Sequence, residues 1–307
     1  MSKKTEDENL NTAYDDAYHT LLTDCPQLIV PVVNEVFHRQ YAFREDVKRS
    51  NEKYFINRQD GGQLQRIADS NIEIKETKYH IECQSTVDGS MVTRMFEYGA
   101  QSALNDSTLE ESVLTVEFPH VAVLYLRHNS KTPENMKIRI KTPDAECSYN
   151  VPIVKLRDYS LDEIFNKQLY FLIPFHIFTY EKKFIQLEKD EAQLKELKLI
   201  YGEIVSRLNE CAKTGKITEY EKRTIMTMGR KVLRKIAAKY QNVKEGIGEI
   251  MGGKVLDYEA KDILNQGISQ GIRTTARKML EENLPVEQII KFTGLTMEEI
   301  LSLQQTK

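Results

Sequence analysis

Residues 69–84 read DSNIEIKETKYHIECQ, two alternating runs on either side of the polar tetrapeptide KETK. With a turn centred on Glu76–Thr77, an antiparallel hairpin sets Ile74 against Tyr79, Ile72 against Ile81, Asn71 against Glu82 and Asp69 against Gln84. Side chains alternate across a strand, and opposed residues share a face. One face then carries Ile72, Ile74, Tyr79, Ile81 and Cys83, and the other carries Asp69, Asn71, Glu73, His80, Glu82 and Gln84. The first is a core face and the second is wholly polar. Asp69 and Glu82 become diagonal neighbours, about 7–8 Å apart. That spacing admits a divalent cation between their carboxylates, since Mg²⁺ holds oxygen at about 2.0–2.1 Å. Two carboxylates aimed at one point repel unless a proton or a cation joins them, and a hard cation is the natural occupant. The same alternation also suits a solvent-facing strand pair, common in half-polar antiparallel sheets.

Other elements must position this hairpin. From Asp15 to about His38 the apolar spacing is helical, interrupted at Pro26 and Pro31. Strands are expected at 65–74, 79–84, 113–117, 121–126, 137–141 and 151–155, with a helix at 90–104 between the first four. Arg94, Tyr98 and Gln101 fall at i, i+4 and i+7 and share one face of that helix. They are either surface residues at helical spacing, or Arg94 contacts a phosphate and Tyr98 holds the hairpin or a ligand. From about Asp162 onward the pattern is helical almost throughout. These elements describe an α+β protein: a disordered lead at 1–12, a mixed domain at 13–185 and an all-helical extension at 186–307.

The chain has 307 residues, 40% hydrophobic and 29% charged, which suits a globular protein with one large or two modest domains. No apolar run approaches the roughly 20 residues that span a bilayer. The polar start MSKKTEDENLNT lacks the apolar region of a signal peptide. Cys25, Cys83, Cys147 and Cys211 are scattered, without CxxC or a Cys/His cluster, so neither a zinc site nor a disulfide framework is expected and the setting reads as cytoplasmic. The net charge of −3 decides nothing about nucleic acid, for which local patches matter more. With no Trp and few clustered aromatics, the carboxylates have no evident platform for sugar rings.

The order D…ExQ on a hairpin followed by a helix resembles the PD-(D/E)XK nuclease superfamily, and more closely its bacterial branch of PD-(D/E)XK nuclease family transposases, also called recombination-promoting nucleases. The matching positions are Asp69 in RIADSNIEI, Glu82 and Gln84 in YHIECQS, and Arg94 and Tyr98 in TRMFEYGAQ. The branch's opening pattern matches Asp15 and Tyr18 in DDAYHTLL, with His19 where Lys is frequent. LYFLIPFHIFTYEKKF and LPVEQIIKFTGLTMEEILSL resemble the stretch that closes the catalytic domain and the branch's usual tail.

The resemblance implies a restriction-endonuclease-like αβββαβ core with a mixed sheet, and DNA phosphodiester hydrolysis dependent on Mg²⁺ or Mn²⁺. Asp69, Glu82 and Gln84 would be catalytic, and Asp69, Glu82 and the backbone carbonyl of Cys83 would be metal ligands. Asp15 either completes the metal site or caps its helix. Glu35, on the same helical segment, is a weaker candidate. Gln84 stands where the superfamily commonly has Lys; its amide can orient water but adds no charge. His80 is the nearest group that could supply one, and is otherwise a solvated or edge histidine. The competing expectation is a catalytically idle member that binds DNA or assembles with other proteins.

Residues 222–239, KRTIMTMGRKVLRKIAAK, hold seven basic residues and no acidic one. At 100° per residue, Ile225, Met226, Val232, Leu233, Ile236 and Ala237 gather on one side. Arg223, Arg230, Lys231, Arg234 and Lys235 spread over the other. This is either a solvated face or a row of DNA-phosphate contacts, with Arg230, Arg234 and Lys235 as the binding residues. At the end, Thr296 and Glu299 make a capping box between two short helices. The acidic second helix has nothing to read bases, so the pair is expected to pack or to form a homo-oligomer.

Overall fold

The computed structural model describes residues 3–50, 53–57, 63–67, 71–86, 89–127, 129–130, 132–252, 271–280, 282 and 284–304. Asp69 lies outside them. The chain divides into two compact units, Met1–Gly252 and Gly253–Lys307.

The first unit opens with α1 (Lys3–Asp24), a 3₁₀ turn (Pro26–Ile29) and α2 (Val30–Phe37). The expected disordered lead is therefore helical from Lys3 onward: Lys and Glu are good helix formers, and the helix that carries Tyr18 runs on through them. Both prolines fall at helix starts, where a missing N–H is no loss.

Strands β1 (Lys48–Ser50), β2 (Lys53–Asn57), β3 (Gln63–Ile67), β4 (Asn71–Ile74) and β5 (Thr77–Gln84) follow, and then α3 (Met91–Asn105). The strand expected at 65–74 is thus two elements: β3 pairs with β2 in a separate hairpin, and β4 joins the main sheet. Beyond α3 come the β6 (Thr108–Glu110)–β7 (Val113–Thr115) hairpin, β8 (His120–Tyr125), the β9 (Met136–Lys141)–β10 (Glu146–Val151) hairpin and β11 (Ile153–Lys155). Pro152, which has no N–H to donate, separates β10 from β11 in the run expected as one strand. The main sheet is mixed, in the order β1-β4-β5-β8-β11: the first two pairings are antiparallel and the last two parallel.

The β4–β5 turn falls one position before the expected centre. Lys75 and Glu76 are its two loop residues, and both have positive φ, 48° and 66°. Asn71 therefore faces His80, and Ile72 faces Tyr79. The face assignment survives because each partner moves by two residues, a whole pleat period. Ile72, Ile74 and Ile81 are buried as expected. His80 and Glu82 on the polar face are buried as well. Parallel pairing sets His80, Glu82 and Gln84 beside Val121, Val123 and Tyr125, and α3 lies over those residues through Met91, Met95 and Tyr98.

After β11 the first unit is helical: α4 (Leu161–Asn166), tight 3₁₀ turns over Tyr170–Lys183, α5 (Phe184–Leu187), α6 (Glu191–Lys213), α7 (Glu219–Ile236) and α8 (Gln241–Ile250). Helix α7 packs on the Tyr170–Lys183 stretch and on α1, burying Ile225, Met226, Val232 and Leu233. Residues 186–252 thus belong with the sheet and not to a separate extension beginning at 186. In the second unit, a helix at 271–280 (α9), α10 (Val286–Thr293) and α11 (Met297–Gln304) bury Ala276, Ile289 and Ile300. Gly294 ends α10 at φ 70°, and Thr296 and Glu299 exchange the expected capping-box hydrogen bonds. Among the described residues no helix is long and apolar enough to cross a membrane.

Positive φ at two successive loop residues is the geometry that Asn-Gly favours in a two-residue hairpin. Lys75→Asn with Glu76→Gly should raise stability by about 1 kcal/mol in urea unfolding, by relieving left-handed strain at side-chain-bearing residues. A loss of stability would show that the turn has another geometry.

Candidate functional site

Three successive inward residues of β5, namely His80, Glu82 and Gln84, build the site. Glu82 is 1% exposed, a depth at which an uncompensated carboxylate is costly. Arg94 of α3 bonds Glu82 Oε1 through Nη2, and Gln84 Nε2 donates to the same oxygen at 3.1 Å. His80 Nε2 faces Glu82 Oε2 at 3.4 Å. That oxygen is buried and accepts no hydrogen bond from the described residues. Burial alone would raise the proton affinity of Glu82. The His80 imidazole, the Arg94 guanidinium and the Gln84 amide outweigh it and hold the carboxyl below the usual carboxylate range.

His80 is also 1% exposed, so it is neither solvated nor an edge residue. Its Nδ1 lies 2.9 Å from Asn71 Oδ1, directly across the hairpin, and its ring meets the edge of Tyr98 at 5.2 Å. Strand alternation puts it on this face; the cover by α3 is what a single strand does not reveal. Tyr98 is 2% exposed and holds the hairpin, while the Arg94 guanidinium lies 5.9 Å from the centre of the Tyr98 ring.

Helix α1 approaches the strand edge that β4 leaves at His80. The Tyr18 hydroxyl donates to the Ile81 carbonyl at 2.9 Å. On the opposite edge the Gln84 carbonyl accepts from Leu126 N–H at 2.9 Å. Carbonyl directions alternate along a strand, so the Cys83 carbonyl points to the α1 edge. One turn before Tyr18 lies Asp15, whose carboxyl is raised from 3.8 to about 7 by burial, then by the charges of Glu82 and Asp16, against a lowering by Arg94. Asp15 lies well inside α1, which starts at Lys3, so it is not that helix's N-cap. His19, by contrast, is lowered by burial and by Arg49, which bonds it at 3.3 Å.

The remaining expected residues are dispersed. Glu35 bonds Lys167 at 2.7 Å and Tyr159 at 3.4 Å. Arg230 is 1% exposed, which removes it from the basic surface: helical spacing puts it at the border of the apolar side, and packing against α1 and the Tyr170–Lys183 stretch covers it. Arg234 is exposed and Lys235 half-buried. Lys231, three residues before Arg234, pairs with Asp16 at 3.2 Å and so brings the basic helix beside Asp15.

No family model, curated protein or solved structure matches the chain. Among the described residues no group of three His, Cys, Asp or Glu side chains is placed to hold a metal. The donor set nevertheless suits a hard cation. Among the described residues, a buried carboxylate keeps one oxygen without a hydrogen bond, a second carboxyl is within its electrostatic reach, and a backbone carbonyl faces the same edge.

Asp15 binds its proton more tightly in the folded than in the unfolded chain. The stability this confers is full below about pH 4 and lost as pH rises through about 7. Asp15→Asn should therefore gain stability relative to the wild type across pH 4–7, then level off. Parallel stability–pH curves for the two proteins would remove Asp15 from the carboxylate pair.

Proposed function

We propose that this chain is a metal-dependent DNA endonuclease related to the PD-(D/E)XK nucleases of recombination and mobile elements, with an αβββαβ core. The observation that carries the reading is the buried, ionised Glu82 beside a second carboxyl. A carboxylate at such depth, with a second, half-buried carboxyl in its field, is a frequent mark of a functional site. Asp69, Glu82 and the Cys83 carbonyl would hold Mg²⁺ or Mn²⁺, with Asp15 as the further ligand. Bound there, the cation would supply Lewis acidity and lower the pKa of a coordinated water. His80, fixed between Asn71 and Glu82, orients the carboxylate. Gln84 would orient the attacking water through its amide once that amide leaves Glu82. Arg234 and Lys235, with Lys231 anchored at Asp16, would lead the DNA backbone towards Asp15.

One observation favours the second reading, an idle nuclease fold that binds DNA or assembles. Arg94 already neutralises Glu82, and the Gln84 amide is spent on the same oxygen. In either case the exposed Phe292 and Met297 suit the second unit to packing or homo-oligomerisation. We read the four free cysteines as belonging to a reducing cytoplasm.

Plasmid nicking with Mg²⁺ or Mn²⁺ separates the two readings. Asp69→Ala and Glu82→Ala should each abolish it at matched folding, while Gln84→Lys should keep or increase it. Nicking that survives loss of Asp69 would contradict the metal assignment. A silent wild type together with an active Gln84→Lys would favour the idle fold.

DNA binding gives an independent check. Arg234→Gln with Lys235→Gln should weaken binding to all sequences alike and flatten the log–log salt slope by about 2, at roughly 0.9 for each phosphate no longer neutralised. An unchanged slope would take α7 out of the DNA path.

A further inference from the structure

Arg94 is expected to touch a phosphate, yet in the structure it bonds Glu82. Both positions can belong to one residue. Its side chain is 18% exposed against 1% for Glu82, so the guanidinium sits where the buried cluster meets solvent. The stem belongs to α3, whose Met91 and Met95 are locked into the core, and the guanidinium lies against Tyr98 one turn on. A guanidinium remains charged at any pH the protein tolerates, and its planar fork suits carboxylate and phosphate equally.

We infer that Arg94 is an exchangeable counter-ion, resting on Glu82 until a divalent cation takes that carboxylate and then turning to the phosphate of bound DNA. This rests on the metal-site reading above and deepens it. A divalent cation on Glu82 repels the neighbouring guanidinium, and the freed charge needs an anion at the mouth of the site. A DNA phosphate that holds Arg94 away in turn leaves Glu82 open to the cation. Cation and DNA must then tighten one another's binding by the same factor. Arg94 is thus a positioning residue that makes cation uptake depend on substrate.

The test is Mn²⁺ binding to the full chain, followed by electron paramagnetic resonance, with and without a phosphorothioate duplex that resists hydrolysis. The wild type should bind Mn²⁺ at least about fivefold tighter with the duplex, the lower end of common allosteric couplings. Arg94→Gln, which removes the competing charge, should bind Mn²⁺ severalfold tighter than wild type without DNA, and its coupling should fall to near one. Arg94→Lys keeps a cation without the fork and should retain a reduced coupling. The wild-type measurement stands without any variant, so a misfolded Arg94→Gln leaves the test intact. Wild-type Mn²⁺ affinity that ignores the duplex, or full coupling in either variant, would overturn the exchange. A wild type that binds no Mn²⁺ at all would sink the metal-site reading itself, a separate and recognisable result.

Discussion

A negative charge held in the middle of a sheet sets the terms for the rest of the first unit. Glu82 lies on β5 beside Val123 of β8, under α3, where water cannot solvate it. Several kcal/mol of desolvation must be offset by fixed partners, and a partly satisfied polar cluster is worse than an apolar one. Each neighbour reads as an answer to that constraint. Arg94 comes from the covering helix, Gln84 from the same strand, and His80 is steadied by Asn71 and Tyr98. Removing Arg94 would leave a buried charge uncompensated and removing a neutral partner would leave it less well satisfied, so the cluster acts as a unit.

The architecture around it follows from the crossover between β5 and β8. Parallel neighbours need a connection across a face of the sheet, and α3 supplies it, sealing the polar residues of β5 and the valines of β8 together. At the other edge α1 ties itself to β5 through Tyr18 and the Ile81 carbonyl, placing Asp15 within the field of Glu82. Helix α7 then packs on α1, and Lys231 takes up Asp16. The carboxylates and the basic helix are thereby linked through one chain of packed elements.

Much of this is legible in residue order. The hairpin's two faces follow from period-two alternation, and they tolerate a shift of the turn because each partner then moves by a whole pleat period. The turn centre is illegible because Lys75–Glu76 adopts a conformation that Asn and Gly normally signal. The burial of His80 depends on where α3 lands, which no local pattern encodes. Arg230 escapes sequence reasoning for a similar reason: a position at the border of an amphipathic helix is decided by what packs there. The extent of the first unit is hidden because helices that close a mixed domain read, one by one, like an independent extension.

We propose, above all, that the buried carboxylate of Glu82 takes a divalent cation. Anomalous diffraction from crystals of the chain soaked in Mn²⁺ tests it most directly. The account predicts a manganese peak within about 2–2.3 Å of a Glu82 carboxylate oxygen, close to the distances hard divalent cations keep from oxygen, with the Arg94 guanidinium displaced. A saturating soak that leaves Glu82 without a peak and Arg94 still bonded to it would contradict the account.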